Sequence, residues 1–200
     1  MEGKPLRIMI TAPQPHDDEA ARINAALDAG WDYVHLRYPD LTLRQVRAII
    51  EGVSQKYHER LKLHGHFELV HEFNLGGLHL NRRCPAAPPQ FSGALSASCH
   101  NIADIEAAAK SGRFSYVTLS PVFSSISKQG YNPSLTEVEF AEALSAAGDM
   151  PVVALGGITP GNAAAVLDAG FAGYAVLGYL DAAAAPEDII ARSNEFFKPN

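Results

Sequence analysis

Ala29-Gly30-Trp31-Asp32-Tyr33-Val34 returns in outline as Gly112-Arg113-Phe114-Ser115-Tyr116-Val117 and again as Ala169-Gly170-Phe171-Ala172-Gly173-Tyr174. Each copy sets a glycine a few residues ahead of a short run suited to a strand. Glycine takes up the left-handed turn that ends a helix, so each copy marks a passage from helix to strand. Working outward, short β-branched runs alternate with longer runs rich in Ala and Leu, the βαβα pattern of a parallel sheet. Strands are predicted at Leu6–Thr11, Tyr33–Arg37, Leu61–His64, Gly77–Leu80, Ala94–Ser98, Tyr116–Ser120, Val152–Leu155 and Gly173–Leu177. Helices fit between them at Asp17–Ala29, Thr42–His58, Phe67–Phe73, Ile102–Ser111, Thr136–Ala146, Ala163–Ala169 and Pro186–Phe197. The Pro-rich crossover from Asn81 to Ser92 reads as irregular or only briefly helical. Eight strands is the count that closes a barrel. The expected fold is therefore an α/β, (β/α)8 TIM barrel in one compact domain spanning all 200 residues. An open doubly wound sheet is the alternative that periodicity leaves standing.

Bulk properties narrow the function. The chain is 47% hydrophobic and 19% charged, an ordinary globular composition. A net charge of -6 with no basic run argues against a nucleic-acid partner. The apolar stretch before Pro13 is too short for a signal-peptide core or a membrane span. Two cysteines, Cys84 and Cys99, imply no disulfide framework, and a cytoplasmic protein follows as the simplest expectation. Self-association is left open.

In such a barrel the chemistry sits at the carboxyl ends of the strands. A side-chain period of two places His35 and Arg37 on one face, ends the third strand at His64, and sets His79 between Leu78 and Leu80. Ser96, Ser98 and His100 share a face of the fifth strand, so four histidines come from consecutive strand ends. They lack the local spacing of a helical ligand pair, and no metal site is assigned to them. Leu155-Gly156-Gly157-Ile158 and the closing Val176-Leu177-Gly178 are read as phosphate-binding strand ends, where glycine leaves backbone N–H groups uncovered. The long hydroxyl-rich loop Ser120–Tyr131, with its one lysine Lys128, suits a lid that grips an anion.

These pieces in this order resemble the thiamin phosphate synthase/thiazole tautomerase (TenI) family. The family's Gln-Leu-Arg-x-Lys stands here as His35-Leu36-Arg37-Tyr38-Pro39, its Gly-Val-His-Leu as Gly77-Leu78-His79-Leu80, and its Ser-x-His as Ser98-Cys99-His100. Its Gly-Pro-Val-Phe and Thr-x-Thr-Lys become Ser120-Pro121-Val122-Phe123 and Ser125-Ile126-Ser127-Lys128. The two glycine ends match as well.

The resemblance implies a phosphorylated thiazole as small-molecule partner, joined in the synthase to a pyrimidine pyrophosphate. Synthase chemistry implies Mg2+ on carboxylate oxygens. The positions that carry the family's aspartates read His64-Gly65 and Cys84 here, and the strand-two lysine is Pro39. Mg2+ is thus expected only if synthase activity is retained. The tautomerase branch moves a proton without metal, with histidine as acid and base. Its histidine before Val-Phe is Pro121 in this chain, which transfers the expected catalytic role to His64 or His100, with Lys128 as the catalytic cation. His35, Arg37, His79, Ser98, Ser125, Ser127, Gly156, Gly157, Leu177 and Gly178 complete the expected substrate- and phosphate-binding set. A binder of thiazole phosphate without turnover is the reading from another class.

Overall fold

The computed structural model describes residues 4–123 and 136–197. Eight parallel strands are hydrogen-bonded in chain order and the sheet closes on itself, giving the (β/α)8 barrel. They are β1 (Leu6–Ile10), β2 (Tyr33–Leu36), β3 (Leu61–Leu63), β4 (Gly77–Leu80), β5 (Leu95–Cys99), β6 (Tyr116–Leu119), β7 (Val152–Leu155) and β8 (Gly173–Val176). The helices are α1 (Glu19–Ala29), α2 (Leu43–Gly52), α3 (Leu69–Glu72), α4 (Ile102–Ser111), α5 (Glu137–Ala147), α6 (Ala163–Asp168), α7 (Gly178–Asp181) and α8 (Pro186–Phe197). No helix among the described residues is long and apolar enough to cross a membrane.

Contacts group the chain into two compact units. One holds residues 8–94 and 177–197, with β2 to β4 and α1, α2, α3, α7 and α8. In it His35 pairs with Lys62 and Lys62 with Gly77 in register. Its core is Ile23, Trp31, Leu36, Ile50, Leu61, Leu63, Leu69 and Leu78, all almost fully enclosed. Trp31 packs edge-on against Phe196 of α8 and donates its indole N–H to Ser193 at 2.8 Å. The other unit holds residues 4–7 and 95–176, where Ser98 pairs with Thr118 and Thr118 with Val153. Strands β6 and β8 are buried along their whole length, as continuous apolar runs of a parallel sheet should be.

Helix starts follow local chemistry. Thr42 accepts from Gln45 N–H while Gln45 returns a bond to Thr42 N–H, and Thr136 and Glu139 do the same for α5. The expected helix Thr42–His58 is in fact two pieces, α2 and a 3-10 segment at Gln55–Arg60. The break has a tertiary cause. A Cβ on Gly52 would lie 2.7 Å from Ala20 of α1, and Asn24 of α1 accepts from Ser54 N–H at 2.9 Å. The helix stops where α1 crosses it. The short α7 was not expected from the sequence, because four residues carry too little periodicity to register.

Trp31→Phe removes the indole donor and leaves a cavity where the second ring was fully enclosed, while Ser193 still donates to Ile189 O at 2.6 Å. The expected cost is about 2–3 kcal/mol, seen as a fall in Tm of roughly 4–12 °C by circular dichroism.

Candidate functional site

Within residues 8–94, three imidazoles come together from adjacent strands. His35 points inward from β2, fully enclosed, and His79 from β4 is 1% exposed. His64 follows directly on β3 and is half-buried. His35 Nδ1 lies 2.9 Å from His64 Nε2, and the rings of His64 and His79 stack with centroids 4.2 Å apart. One ligand nitrogen from each residue lies within 4.8 Å of the other two. The backbone holds the trio in place. His64 N–H donates to Leu36 O at 3.1 Å, and the Asn81 amide bridges His64 O at 2.8 Å and His79 O at 3.2 Å.

Burial holds all three rings neutral. It pushes His35 well below the ordinary value, helped by His79 and Lys62. It does the same to His64, helped by His79, His35 and Arg37, and lowers His79 to about 3. Lys62, also buried, falls to about 8 and donates to Gly76 O beneath the Tyr33 ring. Arg37 is half-buried, and its N–H donates to Thr11 Oγ1 at 2.9 Å. A cluster of this kind can offer lone pairs to a metal ion or hydrogen bonds to a ligand, but it protonates poorly at neutral pH.

Within residues 95–176 a second group forms. His100 is exposed at the end of β5, and its Nδ1 lies 3.0 Å from Ser120 O and 3.3 Å from Ser120 Oγ. A carbonyl partner requires a proton on Nδ1, which leaves Nε2 as the lone-pair nitrogen. The Ser120–Pro121 peptide is cis. Gly156 and Gly157 follow β7 with φ of 104° and 66°, where side chains are disfavoured. A Cβ on Gly156 would approach Pro121 Cα to 3.0 Å. The carbonyls here are all engaged: Leu155 O by Val122 N–H, Gly156 O by Phe123 N–H, and Gly157 O by the Asn162 amide. Ser98 is half-buried on β5, and burial pushes the neighbouring Cys99 thiol up to about 12, so Cys99 is packing and not a nucleophile.

The sequence placed four histidines at strand ends; three meet in residues 8–94, and His100 keeps company with Ser120. Leu177 precedes α7, and Gly178 begins it with nothing within 4 Å of where a Cβ would stand. Ser125, Ser127 and Lys128 lie outside the described residues. Asn81 and Asn162 have no role in the sequence reading, and Ser120 only a place in the Ser-Pro-Val-Phe motif. Each acts through backbone carbonyls, and only their positions just past strand ends hinted at a role.

The rings' neutrality gives a pH signature. A histidine whose folded pKa is depressed contributes stability above its unfolded value, and that stability is lost as pH falls below it. Unfolding free energy should therefore fall as pH drops below 6.5, by up to about 1.4 kcal/mol per pH unit for each imidazole. His79→Gln should flatten the slope by one proton in urea melts between pH 4 and 6, a window bounded below by the value of about 3. An unchanged slope would refute the assignment.

The family model described as thiamine monophosphate synthase matches residues 8–180. A thiamine-phosphate synthase of Cronobacter sakazakii is 30% identical over 181 residues, covering 83% of this chain and 86% of the relative. One of Neisseria meningitidis is 29% identical over 176 residues, covering 84% and 85%. The crystal structure of thiamine phosphate pyrophosphorylase from Bacteroides thetaiotaomicron superposes with a TM-score of 0.82 at 32% identity, over 96% of this chain and 95% of that one.

Proposed function

The chain belongs to the thiamine monophosphate synthase family, and from that premise we propose that it binds a phosphorylated thiazole and moves a proton on it as a tautomerase. The family's place in thiamine biosynthesis makes small phosphorylated heterocycles the substrate class. One observation carries the choice of chemistry. The ends of β3 and β4, where synthase chemistry needs hard carboxylate oxygens for Mg2+, present His64, Gly65 and Cys84. Imidazole and thiol are poor partners for Mg2+, whereas proton transfer between carbon and a base needs no metal. We read the protein as cytoplasmic, where its substrates are small and soluble.

His100 is the proposed acid/base. Its Nδ1–H is committed to Ser120 O, and its exposed ring leaves Nε2 open to a ligand. His64 is the weaker choice, because burial, two neighbouring imidazoles and Arg37 all oppose its protonated form. The phosphate is assigned to the N–H groups of Gly156 and Gly157, whose carbonyls are already taken up by the protein. Lys128, Ser125 and Ser127 are proposed as further phosphate ligands, and Ser98 as a hydrogen-bond donor to the thiazole.

The competing reading is a divergent synthase, favoured by the names of the relatives and by Ser98-Cys99-His100 and Pro121. Thiamin phosphate formed from both substrates only when Mg2+ is present would establish that reading and end the tautomerase proposal. Tightly bound thiazole phosphate with neither product would mark a binder without turnover.

His100→Ala should lower the tautomerisation kcat by about 10²–10⁴-fold, followed by NMR as solvent deuterium enters the ligand carbon. Tautomerisation surviving intact in a His64→Ala, His100→Ala double variant would remove histidine from the chemistry. Gly178→Ala adds a methyl that meets nothing within 4 Å in the protein. Its melting curve should match the parent, so a weaker calorimetric affinity for thiazole phosphate would report ligand contact alone; unchanged affinity would leave Gly178 without a ligand role.

A further inference from the structure

The geometry points to a binding site for a zinc-class transition-metal dication on His35, His64 and His79, with a fourth coordination position open to water or an anion. It goes beyond the tautomerase reading, which uses no metal, and rests on residues 8–94 alone.

Three features carry it. The first is convergence: the strands β2, β3 and β4 are neighbours, and each delivers one imidazole to the same point, with one nitrogen apiece inside a 4.8 Å circle. Ligands on a tetrahedral zinc at ~2.0–2.1 Å stand roughly 3.4 Å from one another. The His35–His64 pair at 2.9 Å is already close to that spacing, and modest ring rotation closes the rest. The second is preparation. His35 and His79 are almost fully enclosed, so little water competes for their ring nitrogens, and neutral imidazole is the ligating form. The third is support. Asn81 clamps the backbone of His64 and His79, and His64 N–H is bonded to Leu36 beside His35, so the ligand-bearing strand ends are fixed relative to one another.

The donor set also selects the metal. Three nitrogens suit zinc, cobalt, nickel or copper and disfavour Mg2+, which demands oxygen. Three histidines with an open position is the arrangement of catalytic zinc, not of a closed structural site. Two cations oppose a dication here, Lys62 beside His35 and Arg37 beside His64. Their charge favours an anionic fourth ligand, hydroxide or a phosphate oxygen, which would reduce the net charge at the centre.

The test uses the untagged full chain stripped with chelator and no thiazole phosphate, so its outcome is independent of the tautomerase assays. Dialysis against Zn2+ followed by elemental analysis should give one equivalent per chain, with a raised Tm that chelator reverses. Co2+ should give the visible absorption of a tetrahedral nitrogen site, and Mg2+ should neither compete nor stabilise. In the parent chain, 15N-labelled histidine should show ring shifts confined to these three residues as Zn2+ is added. His79→Gln, close to histidine in size, should lose the Co2+ spectrum and at least 10-fold in Zn2+ affinity, while Cys84→Ser keeps both. Substoichiometric zinc, ring shifts spread over the exposed histidines, or unchanged binding in His79→Gln would each overturn the site. Should His79→Gln fail to fold, the ring shifts of the parent decide.

Discussion

Strand starts in this barrel are set by close approach of backbone to backbone. A Cβ on Gly173 would stand 2.0 Å from Leu6 O, and one on Gly76 would stand 2.0 Å from Glu59 O. Gly77, at φ 138°, lies so near Ala94 O that a Cβ there would sit at 2.2 Å. No side chain fits any of these places, because the neighbouring carbonyl occupies the volume. Register follows from that fit. With Gly77 opposite Lys62, β4 presents His79 at the level of His64, and with Gly173 opposite Val153, β8 is fixed against β7. A slip of one residue would turn every side chain to the wrong face.

Once register is fixed, burial sets the chemistry. The imidazoles of His35 and His79 are enclosed and the half-buried His64 stacks on His79, a setting in which a proton is poorly solvated and the neutral rings are favoured. His100 meets the opposite condition. It stands at the surface, tied by one nitrogen to Ser120 O, and keeps its other nitrogen for whatever arrives. The same side chain thus meets two environments in one protein, and enclosure is the difference.

Where the family resemblance expects carboxylates at the ends of β3 and β4, this chain carries His64, Gly65 and Cys84, while His79 stands where the family also has histidine. Oxygen ligands hold a hard, strongly hydrated cation; nitrogen ligands hold a softer one or simply hydrogen-bond. Asn81 fits the new arrangement, since its amide fixes the carbonyls of His64 and His79. The family's fold persists with these different side chains at the strand ends.

The eight strands and most helices were legible in the sequence because period-two and period-3.6 patterns, with glycines at the turns, are local properties. Ile102–Ser111 and Pro186–Phe197 stand at the predicted bounds, the first capped by the Asn101 side chain and ended by left-handed Gly112. His35, His64, His79 and His100 could be named as strand-end residues for the same reason. Their partition could not. Which histidines share a space depends on strand register and on contacts such as Asn81 with two carbonyls, made between segments distant along the chain. The break in the predicted helix Thr42–His58 has the same origin, since Ala20 and Asn24 act on it from another helix. Sequence determined the order of elements and the inventory of reactive groups; tertiary structure decided their protonation and their neighbours, because desolvation and distance exist only once the chain is packed.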